Sequence, residues 1–200
     1  MLYYEDKYNR LGYKFVIGVD EAGRGPLAGP VVSAAVLLSK RRFSNLIDDS
    51  KKLSPLGREK AFLEINRNSV SGICIISERI IDRINILEAT RLSMQQAVIS
   101  LVNKLGSINH KEVFAIVDGN MDLSFGFPYQ SIVKGDNKSK SIAAASILAK
   151  VIRDKMMYAY DRIYPAYGFK RHKGYPTKEH RDILRDIGPC AIHRKSFISA

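Results

Sequence analysis

Phe15-Val16-Ile17-Gly18-Val19-Asp20-Glu21-Ala22-Gly23-Arg24-Gly25-Pro26-Leu27-Ala28-Gly29-Pro30 is the stretch that decides the reading of this chain. Five apolar or small residues lead into two adjacent carboxylates, and a glycine-flanked arginine follows at once. A Val- and Ile-rich run of that length reads as a strand buried on both faces. Neighbouring side chains on a regular strand point to opposite faces, so Asp20 and Glu21 are expected to share a site only if the strand stops at Asp20 and the backbone turns. Gly23, Gly25 and Pro26 permit such a turn. Small residues there also let a ligand approach the backbone, and Arg24 supplies a planar cation suited to phosphate.

Working outward, residues 30 to 38 form a second Val- and Ala-rich run, expected to pair with the first. Residues 40 to 52 are polar and basic and read as a loop. Ser54-Pro55 gives a helix start, with a capping hydroxyl and a proline in the first turn, leading into residues 56 to 66. A third strand is expected over residues 72 to 77. The spacing of Met94, Val98, Leu101 and Leu105 predicts a helix over residues 88 to 105, stopped by Gly106. Residues 113 to 117 form a fourth apolar run ending on Asp118, and residues 130 to 133 a fifth that leads into Lys134-Gly135-Asp136. A long helix is predicted from Ser139 to about Tyr160, and Pro165 ends its pattern. Residues 169 to 175 read as a basic, aromatic loop, with Thr177 capping a short helix beyond it.

The 200 residues carry 32 Lys and Arg against 20 Asp and Glu, a formal charge of +12 that favours a polyanionic partner, most often nucleic acid. With 46% hydrophobic residues a single packed domain is expected, acting as a monomer. The two cysteines, Cys74 and Cys190, make neither a disulfide framework nor a metal motif, and a reducing cytoplasm is the expected setting. Residues 1 to 14 are polar, aromatic and mixed in charge, unlike a secretion signal, and no run approaches the ~18 apolar residues of a membrane span.

Four carboxylates thus stand at strand ends or loop starts: Asp20, Glu21, Asp118 and Asp136. In one cleft they would repel strongly unless hard cations neutralised them, and an all-oxygen donor set suits Mg²⁺ or Mn²⁺. Two such ions roughly 4 Å apart can activate water and stabilise a leaving oxygen, the chemistry of a nuclease. Each acid also has a plainer reading. Asp118 before Gly119-Asn120 serves a turn, and Asp136 before a long helix serves a cap. Asp20-Glu21 resists that treatment, because an apolar run ending in paired acids costs stability without a counterion. Asp154, beside Arg153 and Lys155, reads as a salt-bridge residue, and His172 and His180 as solvated or phosphate-contacting.

These residues resemble the type 2 ribonucleases H, and within them the bacterial HII branch. The resemblance rests on residues 18 to 30, on Asp49-Ser50-Lys51-Lys52-Leu53 and on Asp118-Gly119-Asn120. It continues through Lys134-Gly135-Asp136, residues 141 to 151 and Gly174-Tyr175-Pro176-Thr177, and so covers nearly the whole chain. It implies an α/β ribonuclease H-like fold, a mixed five-stranded sheet flanked by helices with extra helices at the C-terminal side. It also implies that Asp20, Glu21, Asp118 and Asp136 hold two divalent ions, Mn²⁺ or Mg²⁺. The implied activity is hydrolysis of the RNA strand of RNA/DNA hybrids and of duplex DNA containing ribonucleotides, leaving 3′-hydroxyl and 5′-phosphate ends. Gly23, Arg24 and Gly25 would contact the backbone around the ribonucleotide, any side chain at 23 or 25 pushing the strand away. Tyr175 would stack on the following sugar. Lys51, Lys52, Lys134, Lys138, Lys150, Arg171 and Lys173 would contact phosphates. An HIII-type enzyme, a non-catalytic basic duplex-binding module and a phosphate loop over residues 23 to 29 are the competing readings. The last lacks the Gly-Lys-Ser/Thr ending that such loops need.

Overall fold

In the computed structural model, which describes residues 1 to 50 and 52 to 198, one five-stranded sheet organises the chain. Its strands are β1 (Phe15–Ala22), β2 (Val31–Leu38), β3 (Ser69–Ile76), β4 (Val113–Asp118) and β5 (Tyr129–Ile132), in spatial order β3-β2-β1-β4-β5. β1 runs antiparallel to β2 and parallel to β4, β2 antiparallel to β3, and β4 parallel to β5. The sheet is therefore mixed, with its parallel part on the β1, β4, β5 side.

Alternation along β1 assigns its two faces. Ile17 and Val19 enter an apolar cluster with Met94, Val98 and Leu101 of helix α3 (Glu78–Lys104). On the other face, α2 (Pro55–Arg67) and α4 (Lys140–Ile163) cover the sheet, with Val32, Ala34 and Val36 packed against Ala143, Ala144, Ile147 and Ala61. The small residues at the start of α4 permit very close approach: a Cβ added at Gly18 would lie 2.2 Å from the Ser141 carbonyl carbon. Ser54 caps α2 by accepting from the Gly57 N–H at 3.1 Å, and Ser139 caps α4 by accepting from the Ile142 N–H at 3.2 Å.

The sequence reading and the structure differ most in four elements, besides β3, which starts at Ser69 rather than at residue 72. A helix α1 (Tyr3–Arg10) precedes the first strand. It is held by Glu5, whose Oε1 accepts from the Ser141 N–H at 2.8 Å at the start of α4, and by Tyr8 stacked on Phe114. Helix α3 begins ten residues before the apolar spacing suggests, because Asn85 at φ 66 kinks it and caps the second segment by accepting from the Leu87 and Glu88 N–H groups. The periodicity restarts at that internal cap, so only the second segment is legible. The basic stretch expected as a loop contains a one-turn helix, α5 (Phe169–His172), reversed by Lys173 at φ 53. Finally, β1 does not stop at Asp20 but runs through Glu21 to Ala22.

Beyond α4 the chain adds α6 (Lys178–Ile187), capped by Thr177, and α7 (Lys195–Ile198). Among the described residues no helix is long and apolar enough to cross a membrane. Gly18→Ala is expected to lower unfolding stability by about 2–3 kcal/mol, since the new methyl group meets α4 backbone rather than a movable side chain. Urea unfolding checks this, and an unchanged midpoint would contradict the packing described.

Candidate active site

The parallel pairing of β1 with β4 sets the site. Its register runs from Phe15 opposite Val113 to Val19 opposite Val117, so the next residue on each strand, Asp20 and Asp118, emerges at the same edge. That edge is the carboxyl end of parallel strands, where ligands of α/β proteins usually bind. β4 ends at Asp118 while β1 continues, bonded to β2 alone. On its open side nothing blocks Glu21, so both neighbouring acids border one cavity although the strand does not turn between them. The cavity holds about 490 Å³, and Asp20, Glu21, Asp118, Arg24 and Tyr175 line it.

Burial pushes the Asp20 carboxyl well above its ordinary range, and the charges of Glu21 and Asp118 push it the same way. Its Oδ1 accepts from the Glu21 N–H at 2.6 Å, and Ser146 of α4 hydrogen-bonds to it, with Ser50 in turn 3.0 Å from Ser146. Glu21 is also raised, chiefly by burial, with Asp118 adding to the rise and Arg24, at 3.5 Å, opposing it. Asp118 Oδ1 accepts from the Gly135 N–H at 2.6 Å. Asp20 and Glu21, each resisting ionisation next to the Asp118 carboxylate, make with it an all-oxygen donor set of the kind that fits a hard divalent cation. As they stand, no three His, Cys, Asp or Glu among the described residues converge closely enough to hold one.

Asp136 is buried in the turn next to Gly135, where Asn137 donates to it at 2.9 Å, and it is not part of the cavity lining. The helix cap after it is Ser139 rather than Asp136. Lys52 reaches this turn through Asn137 and also contacts Asp48 at 3.4 Å. Lys51 lies outside the described residues.

The two glycines flanking Arg24 do different things. Gly25 faces the cavity, its nearest neighbour for an added Cβ being the Tyr175 ring at 3.9 Å. Gly23 also borders the cavity, but its φ is +101 and an added Cβ would strike the Arg153 side chain at 2.2 Å. A side chain at 23 would thus collide with the protein itself before meeting any ligand, which corrects the expectation that both glycines clear space for a nucleic-acid strand.

The supporting roles of Ser50 and Ser146 behind Asp20 escaped the sequence reading. Lys150, expected to contact phosphate, lines the cavity, and Asp154 is the salt-bridge residue expected, paired with Lys150 at 2.7 Å. His172 and His180 are buried, not solvated, because the C-terminal elements pack over them. Gly174 N–H donates to His172 Nδ1, so His172 Nε2–H donates to Tyr167 O at 2.8 Å. Cys190 N–H donates to His193 Nδ1, which leaves His193 Nε2–H to donate to His180 Nε2 at 3.0 Å. His180 Nδ1–H then donates to the Tyr175 carbonyl at 3.0 Å, fixing the backbone at that tyrosine. Each ring is bonded in its neutral form.

A mixed sheet of this order, with acids gathered at its parallel edge beside a basic, aromatic rim, defines a ribonuclease H-like nuclease. The model of the ribonuclease HII family matches residues 17 to 200. Ribonuclease HII of Acholeplasma laidlawii is 49% identical over 93% of this chain and 88% of its own length. That of Caldicellulosiruptor bescii is 47% identical over 97% and 91%. The crystal structure of ribonuclease H2 from Pyrococcus horikoshii superposes with a TM-score of 0.73 at 25% identity, covering 91% of this chain and 93% of that one. The chain belongs to the ribonuclease HII family, and it is an endonuclease of ribonuclease H type 2.

Two outcomes follow from the electrostatics. An acid whose folded pKa is raised destabilises the fold as pH climbs past its ordinary value, so Asp20→Asn should raise the melting temperature of the metal-free protein at pH 7 by about 2–4 °C. A lowered value in scanning calorimetry would contradict a carboxylate destabilised by burial and by the charges of Glu21 and Asp118. The imidazole of His193 is lowered from 6.5 to about 4, mainly by burial and then by His180. The unfolded chain then binds the extra proton between those values, so stability is complete above pH 6.5 and falls as pH drops toward 4. The loss should be on the order of 1–2 kcal/mol, because the cluster lies close under the surface and solvent screens part of the effect. Urea unfolding at pH 7.5, 6 and 5 measures it; a flat profile, or the same slope in His193→Gln, would contradict the assignment.

Proposed function

We propose that this chain hydrolyses the RNA strand of RNA/DNA hybrids and cuts on the 5′ side of single ribonucleotides embedded in duplex DNA, leaving 3′-hydroxyl and 5′-phosphate ends. One observation carries the reading: Asp20, Glu21 and Asp118 border the same cavity as Gly23, Arg24, Gly25 and Tyr175. An acid cluster and a sugar-reading rim are thereby within one nucleotide's reach of each other.

Two divalent cations of the Mg²⁺ or Mn²⁺ type supply, when bound, an activated water and charge neutralisation at the leaving oxygen. Asp20, Glu21 and Asp118 would hold them, with Asp136 as a fourth ligand delivered by the turn that already bonds Asp118. Ser146 keeps Asp20 in place. No backbone N–H of Gly23, Arg24 or Gly25 donates a hydrogen bond to any described residue, so these groups are left for the 2′-hydroxyl, the feature that separates RNA from DNA. Tyr175, 40% exposed, presents a flat face that packs on a deoxyribose better than beside an added hydroxyl. Arg24 can exchange its long contact with Glu21 for a phosphate. Lys52, Lys134, Lys138, Lys150, Arg171 and Lys173 extend the basic surface along the duplex, and the protein acts as a monomer in a reducing cytoplasm.

The test uses three duplexes, one with a single ribonucleotide, one RNA/DNA hybrid and one all-DNA, each with and without Mn²⁺ or Mg²⁺. Cation-dependent cleavage of the first two, 5′ to the lone ribonucleotide, is expected, and cleavage of the all-DNA duplex would refute the reading. Asp20→Asn and Asp118→Asn should each abolish cleavage while some duplex binding survives; retained cleavage in both would remove them from the chemistry. Arg24→Ala and Tyr175→Ala should each cut the preference for the single ribonucleotide by about tenfold in kcat/KM, and an unchanged preference in both would contradict their role.

A further inference from the structure

Two arginines are buried in the second half of the chain with no carboxylate in direct contact among the described residues; Asp82 and Glu78 act on Arg194, and Asp154 on Arg153, only from farther off. Arg153 of α4 and Arg194, just before α7, are 1% and 0% exposed. Neither forms an ion pair with any described residue. Leaving a guanidinium in the interior without a contacting counterion is costly unless its donors are satisfied. Here each side chain spends all three of its nitrogens on backbone carbonyls. Arg194 Nε donates to Gly29 O at 2.9 Å, Nη1 to Arg24 O at 2.8 Å and Nη2 to Gly23 O at 2.6 Å. Arg153 Nε donates to Pro30 O at 2.9 Å, Nη1 to Lys173 O at 3.0 Å and Nη2 to Ala28 O at 3.1 Å.

The acceptors are not scattered. Five of the six belong to the turn between β1 and β2, residues 23 to 30, and the sixth stands two residues before Tyr175. The Arg153 guanidinium also lies 5.7 Å from the Tyr175 ring centroid. Backbone bonds run parallel to these side chains: Arg194 N–H donates to Leu27 O, Gly29 N–H to Ile192 O and Leu27 N–H to Gly174 O, each at 2.8 Å. The segment carrying Arg194 is anchored in turn from α3, where Asp82 accepts from the N–H groups of Lys195 and Ser196 at 2.9 and 3.0 Å.

We propose that Arg194, with Arg153 beside it, is a positioning residue for ribonucleotide recognition: it ties the carbonyls of Gly23 and Arg24 inward and so holds the N–H groups of Arg24 and Gly25 toward the cavity. This rests on the function proposed above. A peptide plane carries its carbonyl and the following N–H on opposite sides, so fixing the carbonyl of Gly23 aims the N–H of Arg24, and fixing that of Arg24 aims the N–H of Gly25. The planar guanidinium sends three separate nitrogens to three separate carbonyls, whereas a lysine in the same place offers its three N–H groups from one atom and cannot span that fork. Burial and Arg153 lower the Arg194 pKa to about 9, and the side chain is charged throughout the neutral range. The charge also lies behind the turn that meets the nucleic-acid strand, where it favours an anionic ligand. Gly23 has no side chain because Arg153 occupies that space. The clamp and the glycine are parts of one arrangement.

The test compares kcat/KM for the single-ribonucleotide duplex and the RNA/DNA hybrid in the full chain, wild type against Arg194→Lys and Asp82→Asn. Arg194→Lys is expected to lower the ratio of the two by about tenfold, the loss of one or two hydrogen bonds to a charged donor. The stabilisation by Mn²⁺ should stay at its wild-type value, because Arg194 contacts none of the carboxylates. Asp82→Asn, which leaves the guanidinium in place, is expected to shift the ratio less and to speed hydrogen exchange over residues 23 to 29. An unchanged ratio in Arg194→Lys overturns the proposal. If that variant does not fold, unchanged ratio and unchanged exchange in Asp82→Asn overturn it instead. Failure of the wild type to cleave either duplex would refute the proposed function, whereas a wild type that cleaves both beside an unaltered Arg194→Lys refutes the clamp alone.

Discussion

The parallel pairing of β1 with β4 is the constraint on which the site depends. Five residue pairs, from Phe15 with Val113 to Val19 with Val117, bring two carboxylates from distant parts of the chain to one sheet edge. A shift of one residue would turn every side chain of β1 to the other face. Ile17 and Val19 are locked into the α3 cluster and Gly18 against α4, so that slip is prohibited by packing. The core therefore specifies where the acids stand, although the acids add nothing to the core.

Around this edge the fold accepts unfavourable electrostatics of both signs. Asp20 and Glu21 are held in a cavity that raises their pKa values, and Arg153 and Arg194 are sealed behind the adjoining turn with no carboxylate in direct contact among the described residues. The two charge types are kept apart by backbone, each satisfied by its own dipoles: N–H groups and a hydroxyl for the acids, carbonyls for the guanidiniums. Such a layout suits a ligand that brings cations to one side and a phosphodiester strand to the other. The neutral histidine cluster completes it, since its last donor fixes the carbonyl of Tyr175.

The strands and the acids at their ends were legible in the sequence because both depend on local pattern, an apolar run and the residue that terminates it. Asp20, Glu21 and Asp118 were found that way, and all three border one cavity. The continuation of β1 past Asp20 was not legible, since it depends on β2 pairing on one side while β4 ends on the other. Helix α1 was missed because its anchor is Glu5 bonded to Ser141, 136 residues away. Arg153, Arg194 and His193 were missed for the same reason. An arginine in a basic chain reads as surface charge, and nothing nearby in sequence reveals that Gly23, 171 residues from Arg194, will supply its acceptor. The distinct duties of Gly23 and Gly25 emerge only once Arg153 is in place.

The central claim is that Asp20, Glu21 and Asp118 form a site for divalent cations. The most direct measurement is a Mn²⁺ titration of thermal stability at pH 7 for the wild type and Asp118→Asn. The account predicts a saturable rise in melting temperature for the wild type, as expected when a ligand binds only the folded state, and loss of most of that rise in the variant. No response in the wild type, or the same response in both proteins, would contradict it.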